Sequence, residues 1–178
     1  MFQKLCCAGA ALLAASSAAH SAEPGSTPVP APIIALKGCW EGTGEVMSKP
    51  VTIAILAKPI VQDAMLALDV ESIAVADSKD RYSAHLIFGG ASNQPGQTAD
   101  QIVGYWADSF GGAFAASGHG ESRSDGFNVT YQYPDDAFVN RWQLSRNHLT
   151  WQIVARDGNN VEKPFASYSL DRVACRLR

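Results

Sequence analysis

Short runs of alternating apolar and polar residues dominate the chain from Leu36 onward. In one clear run the apolar members are Phe127, Val129, Tyr131 and Tyr133. A period of two places successive side chains on opposite faces of a β-strand, and Gly, Pro, Asn and Asp residues punctuate most of the runs as turns. The pattern predicts ten strands, over residues 38–47, 50–57, 64–70, 81–88, 101–107, 112–119, 126–133, 138–144, 149–156 and 165–175.

Ten short strands without a long helical stripe predict an all-β antiparallel domain, either a barrel or a sandwich. The stretch from Pro59 to Val75 stays open, because residues 64–68 suit a short helix as well as a strand. We favour an up-and-down barrel, since its last strand returns beside its first and leaves no exposed edge.

The N-terminus has the features of an export signal. Lys4 is followed by an apolar run of about eleven residues and then by small residues up to Ala22, whereas a membrane span needs roughly 20. We expect a signal peptide over residues 1–22, with cleavage after Ala22 or Ala19, and no integral membrane span in the mature form. Residues 23–35 hold four prolines and predict an extended tether, so the folded domain is expected over residues 36–178.

The net charge and the cysteines indicate which classes of partner and which cellular compartment to expect. Removal of the signal takes away one cation, Lys4, and changes the formal net charge from −3 to −4, which disfavours nucleic acid and anionic lipid as partners. Cys39 and Cys175 remain, 136 residues apart. An isolated pair in an oxidising compartment is more typical of a disulfide than of a metal site. We therefore predict one disulfide, no metal, and a periplasmic or secreted location.

The first predicted strand opens with Gly38-Cys39-Trp40-Glu41-Gly42-Thr43-Gly44, which reads G-x-W-x-G-x-G. This motif resembles the opening of lipocalin-like (calycin) barrels, which include uncharacterised bacterial domains and the haem-binding nitrobindin group. The resemblance implies that Trp40 packs across the closed end of the barrel under Arg172 from the last strand, in a cation–π contact. It also implies a cup for a small apolar or amphipathic ligand, and some members of the fold are enzymes.

One predicted wall carries side chains that suit such a ligand. Tyrosine and tryptophan combine broad apolar area with one polar tip, and a buried amide needs a hydrogen-bond partner that a ligand could supply. The same side chains suit an ordinary core. The predicted ligand-binding residues are Tyr131, Tyr133, Asn140 and Trp142.

The sequence contains no established catalytic motif. His119 and Glu121 lie two apart, so an extended strand places them on one face, where the carboxylate could orient a general base. His85 is a second catalytic candidate. A haem of the nitrobindin kind would need an inward histidine, and His148 lies where the pattern predicts a turn, so we expect no cofactor.

Three functions remain open at this stage. The first is an exported barrel that binds a small apolar molecule in a central cavity. The second is an isomerase or lyase that uses an inward His or Tyr in the same cavity. The third is a structural envelope module whose barrel is filled by its own side chains. No feature of the sequence predicts the oligomeric state.

Overall fold

A computed structural model describes residues 25–92 and 101–175 of the chain. It contains one short helix, α1 (Ala31–Ile34), a 3-10 helix at Gly112–Phe114, and ten strands. The strands are β1 (Gly38–Val46), β2 (Lys49–Ile60), β3 (Met65–Ala74), β4 (Arg81–Ala91), β5 (Gln101–Asp108), β6 (Ala116–Arg123), β7 (Gly126–Gln132), β8 (Asp136–Leu144), β9 (His148–Asp157) and β10 (Glu162–Val173).

The strands form a closed antiparallel barrel. Each strand pairs with its neighbours along the chain, and β10 returns to pair with β1 from Cys39 opposite Val173 to Val46 opposite Ala166. Closure pairs both edges of every strand, so no edge is exposed. The predicted all-β, up-and-down barrel of ten strands is confirmed.

The structure assigns one stretch that the sequence left open and corrects the start of another predicted strand. The ambiguous stretch is a strand from Met65, because Leu66, Leu68 and Val70 alternate into the interior and pair along β2. The predicted strand 112–119 begins only at Ala116, so that prediction is wrong for its first residues. Gly111 has a φ of +98° and the chain turns through the 3-10 helix before β6 begins.

The barrel interior is filled by a stack of aromatic rings. Trp142 lies 5.6 Å from Phe127 and 4.2 Å from Trp151, ring centre to ring centre, and Trp151 lies 4.9 Å from Tyr168. Aliphatic side chains from β2, β3 and β4 belong to the same buried core. Side chains of this size can fill the interior of a small barrel.

The prediction of an extended tether over residues 23–35 is wrong from Val29 onward. Val29, Ile33 and Leu36 are buried in the core, and α1 begins directly after Pro30. Proline suits the first turn of a helix because its missing N–H has no partner there. The apolar residues among the prolines thus form a plug that closes one end of the barrel.

Trp40 and Arg172 hold this plug in place. The indole Nε1 of Trp40 donates to the Leu36 carbonyl at 2.7 Å, and the Arg172 guanidinium lies 4.1 Å from the centre of the Trp40 ring. Arg172 also donates to the carbonyls of Lys37 at 2.6 Å and Ala35 at 2.7 Å. The contact that the resemblance implied is therefore present, and it caps the end of α1 as well.

The predicted disulfide between Cys39 and Cys175 is confirmed, with the two Cα atoms 5.2 Å apart. It joins the start of β1 to the segment that follows β10. The predicted signal peptide lies outside the described residues. In the described part of the chain, no helix is long and apolar enough to cross a membrane.

Candidate functional site

The three histidines of the domain lie on the outside of the barrel. The His85 Nδ1 is 2.7 Å from an Asp69 carboxylate oxygen, and Lys58 contacts the other oxygen at 3.1 Å. Burial raises the pKa of Asp69, but hydrogen bonds from His85 and Lys58 and their charges outweigh it and leave that pKa below its ordinary value. His85 therefore belongs to a surface network of polar contacts with Asp69 and Lys58.

His148 is also engaged on the surface. Its Nδ1 lies 2.9 Å from an Asp171 carboxylate oxygen, and it opens β9 rather than occupying the predicted turn. Its side chain faces away from the barrel interior.

His119 and Glu121 share one face, and that face is the exposed outer one. Glu121 is engaged by Asn128, whose amide nitrogen donates to the carboxylate at 3.4 Å. A surface cleft of about 350 Å³ runs beside them and is lined by Ala91, Gln101, Ile102, His119, Gly120, Glu121 and Asn128. Solvent reaches both side chains, so the pair lacks the enclosed setting that tunes a general base.

The four predicted ligand contacts are on the inner side of the barrel. Tyr131, Asn140 and Trp142 are buried, and Tyr133 is half-buried just beyond β7. Asn140 finds its partners inside the protein: its Oδ1 accepts from Trp151 Nε1 at 2.9 Å, and its amide nitrogen donates to the Phe138 carbonyl at 3.4 Å. Asn140 therefore does not need a ligand to satisfy its amide.

A cluster of aromatic side chains and one carboxylate occupies the end of the barrel opposite α1, which we call the open end. We define the mouth cluster as Tyr82, Trp106, Asp108, Phe110, Phe114 and Tyr133. Strand alternation places Trp106 and Asp108 on the same inner face of β5. The chain then leaves the barrel wall, where the Ser109 N–H donates to the Ser83 carbonyl at 2.9 Å.

Asp108 is the hydrogen-bond acceptor at the centre of the mouth cluster. One carboxylate oxygen accepts from the Tyr82 hydroxyl at 3.1 Å and from Trp106 Nε1 at 3.0 Å. The other oxygen accepts from the Phe110 N–H at 2.9 Å. These bonds fix the carboxylate and orient two aromatic rings around it.

The negative charge of Asp108 affects the pKa of tyrosines on both sides of the mouth cluster. Burial first, and then the nearby negative charge of Asp108, raises the pKa of Tyr82 above its ordinary value. The same two causes raise the pKa of Tyr133. Burial alone raises the pKa of Tyr168, which lies deeper, to about 12. All three phenols are therefore neutral hydrogen-bonding groups near neutral pH.

The rim of the mouth cluster exposes apolar rings to solvent. Phe110 is 71% exposed and Phe114 is 51% exposed. Their ring centres lie 6.0 Å apart, and Phe110 also lies 5.8 Å from the Tyr82 ring. The Tyr133 hydroxyl donates to the Phe114 carbonyl at 2.9 Å and anchors the loop over the opening.

Below the rim lies a buried hydroxyl without a protein partner. Tyr131 packs edge-on against Trp106 at 5.5 Å, and its hydroxyl makes no hydrogen bond to any described residue. A Cβ atom at position 104 would lie only 2.7 Å from this hydroxyl, so glycine there makes room for it. Trp142 Nε1 is likewise buried and unpartnered among the described residues. Both groups are available to a small polar molecule or to water.

The ligand contacts predicted from the sequence were Tyr131, Tyr133, Asn140 and Trp142, of which Tyr133 belongs to the mouth cluster. The prediction did not include Asp108, Phe110 or Phe114. A signal for Asp108 exists in the strand period: Gly104, Trp106 and Asp108 alternate, so the acid falls on the face that also carries tryptophan. Phe110 and Phe114 follow β5 in a turn and in the 3-10 helix at Gly112–Phe114, where no strand period indicates which way a side chain points.

Two clefts among the described residues are on the outer surface of the barrel. One is the cleft beside His119. The other, of about 440 Å³, lies over β1 and β10 and is lined by Thr43, Gly44, Glu45, Pro50, Ser167, Tyr168 and Ser169. The described residues also contain no group of three or more His, Cys, Asp or Glu side chains arranged to hold a metal ion.

Comparison with known proteins identifies the fold. No protein-family model and no curated protein matches the chain. Among solved structures, Rv2717c from M. tuberculosis matches with a TM-score of 0.60 and 15% sequence identity, over 81% of this chain and 99% of that one. The S-type phycobiliprotein lyase CPES from Guillardia theta matches with a TM-score of 0.56 and 11% identity, over 81% of this chain and 92% of that one. These neighbours are lipocalin-like barrels of ten strands, and this chain has the same fold.

Proposed function

We propose that this protein is an exported lipocalin-like barrel that binds a small amphipathic molecule at its open end. The observation that carries the proposal is the mouth cluster, in which exposed Phe110 and Phe114 lie next to half-buried phenols and an inward carboxylate. Exposed apolar rings next to an inward-facing polar group are typical of ligand sites. The ligand's apolar part would cover the rim rings, and its polar part would face Asp108.

The filled interior moves the proposed site from the centre of the barrel to its mouth. The stack from Phe127 to Tyr168 occupies the space that a central cavity would need. Tyr133 keeps its proposed role as a ligand contact. Tyr131 and Trp142 would contribute only to a ligand that reaches below Trp106.

The structural-module alternative draws its support from the same aromatic stack. A barrel filled along its whole length has no binding function of its own. The exposed rim favours ligand binding over this alternative, because apolar rings left in water at a barrel opening give a structural module no stability.

The isomerase or lyase alternative cannot use a histidine inside the barrel, because the described histidines lie outside it. Its remaining version would use a tyrosine of the mouth cluster as acid. The phycobiliprotein lyase among the fold neighbours supports the idea that barrels of this shape can serve enzymes, at 11% identity and therefore by fold alone.

Export is part of the proposal and is supported by two features. The first residues have the composition of a signal peptide, and a disulfide between Cys39 and Cys175 persists in an oxidising compartment. The motif from Gly38 to Gly44 resembles the opening of bacterial secreted barrels and supports a relationship to them.

The test is a fluorescence titration with N-phenyl-1-naphthylamine, a neutral apolar probe that brightens in apolar sites. We expect saturable binding to the wild-type protein. The double variant Phe110→Ser, Phe114→Ser should bind about tenfold more weakly, which corresponds to about 1.4 kcal/mol, because the rim rings no longer cover the probe. Both residues are exposed, so the variant should keep the unfolding midpoint of the wild type.

The matched control is Tyr105→Ser, which removes an aromatic ring that is 47% exposed on the outer face of the same strand, β5. It should bind the probe as tightly as the wild type. Absence of saturable binding by the wild-type protein, or equal binding by the rim variant, would favour the structural module instead.

A further inference from the structure

The carboxylate of the mouth cluster has no cationic partner. Among the described residues no lysine, arginine or histidine forms an ion pair with Asp108. The groups that hold it are all neutral donors: a phenol, an indole and a backbone N–H. Asp108 is therefore a carboxylate of the open end without an ion-pair partner, in contrast to Asp69, Asp171 and Glu162, which have cationic or histidine partners on the outer face.

From this arrangement we propose that the mouth cluster selects a ligand whose polar end is a small organic cation of the ammonium class, carried on an apolar tail. This inference rests on the proposed binding function and names the ligand chemistry of the same site.

The aromatic rings around Asp108 fit a cation as well. The Tyr82 and Trp106 rings are fixed beside the carboxylate by their hydrogen bonds to it, and the Phe110 ring packs against Tyr82. The faces of such rings attract alkylammonium groups, which several aromatic side chains together can enclose. An anionic head group would meet repulsion from Asp108 in the same place.

The carboxylate also has acceptor capacity left. An ionised carboxylate offers about four lone-pair sites, and Asp108 receives three hydrogen bonds from the protein. Two of these end on one oxygen and one ends on the other, so the second oxygen can accept from a further donor. A ligand ammonium can take that position without displacing Tyr82, Trp106 or the Phe110 N–H.

Three probes with the same eight-carbon tail test the inference by isothermal titration to the full-length protein: octylammonium, 1-octanol and octanoate. The wild-type protein should bind the cation about tenfold more tightly than the neutral alcohol, and octanoate most weakly. Raising the salt concentration should reduce the preference for the cation over octanoate, because salt screens partly exposed charges.

The Asp108→Asn variant should lose most of the preference for the cation over the alcohol. Glu45→Gln is the matched control, because it removes one exposed carboxylate near the open end on the outer face and should leave all three affinities unchanged. Thermal unfolding of both variants checks that they are folded. If Asp108→Asn does not fold, the order of the three affinities in the wild type and its salt dependence carry the test.

The outcomes separate this inference from the proposed function. Equal binding of the cation and octanoate by the wild type, or a preference that survives in Asp108→Asn, overturns the inference while alcohol binding still supports the mouth as an apolar site. Failure of all three probes to bind overturns the proposed function together with the inference.

Discussion

Replacement of Cys39 and Cys175 by serine should lower the free energy of unfolding by about 4–5 kcal/mol in the chain-entropy model. The two residues are 136 positions apart, so the disulfide restricts a long loop in the unfolded chain. It also ties the start of β1 to the segment after β10 and so reinforces the pair that closes the barrel. Urea denaturation followed by tryptophan fluorescence measures the difference.

Reduction of the wild-type protein provides the control for this double variant. The reduced wild type and the serine variant should unfold at the same urea concentration, well below that of the oxidised wild type. If the serine variant were as stable as the oxidised protein, the closure of the barrel would not depend on the disulfide.

The Trp40→Ala variant should be less stable than the wild type by about 3–5 kcal/mol, the usual cost of truncating a large buried aromatic side chain. Trp40 is fully buried, its ring contacts the Arg172 guanidinium, and it shares one buried core with Val29, Ile33 and Leu36 of the plug. Its loss leaves a void at the closed end and removes the hydrogen bond to the Leu36 carbonyl. Urea denaturation again provides the measurement.

Trp40→Phe is the matched variant, because it keeps an aromatic ring under Arg172 and loses only the indole N–H. It should cost about 1–3 kcal/mol, the penalty of leaving a buried carbonyl without its partner. An Ala variant no less stable than the Phe variant would argue against the packing of the plug as the source of the stability.

The strands of the barrel could be predicted from the sequence because the alternation of apolar and polar residues is a local signal. The run from Phe127 to Gln132 alternates, and its buried residues are the ones that the period indicated. The opening motif has an equally direct physical basis: a side chain at Gly42 would collide with the backbone carbonyl of Ser169 on β10, so only glycine lets the first and last strands pair there.

The plug could not be predicted in the same way. Four prolines between residues 23 and 35 indicated an extended segment, and composition alone does not show that Val29 and Ile33 find a core to enter. Burial of a short segment depends on the shape of the barrel end that receives it, which is tertiary information. A one-turn helix such as α1 also gives no periodic signal.

The candidate site could be predicted only in part, because the partners of its side chains also depend on tertiary structure. Strand alternation correctly brought Tyr131 and Trp142 inside, but whether a buried polar group has a protein partner depends on the opposite wall. Asn140 is satisfied by Trp151 from the neighbouring strand, whereas the Tyr131 hydroxyl is not satisfied by any described residue. The loop that carries Phe110 and Phe114 has no strand period, so the sequence did not place these rings at the rim.

The most direct measurement of the central claim is a map of backbone amide chemical shifts of the isotope-labelled protein during titration with 1-octanol. If the mouth cluster binds the ligand, the shifted amides should belong to the open end, around Tyr82, in residues 105–116 and around Tyr133. Shifts confined to the closed end near Trp40, shifts confined to the outer cleft beside His119, or no shifts at all would contradict the account.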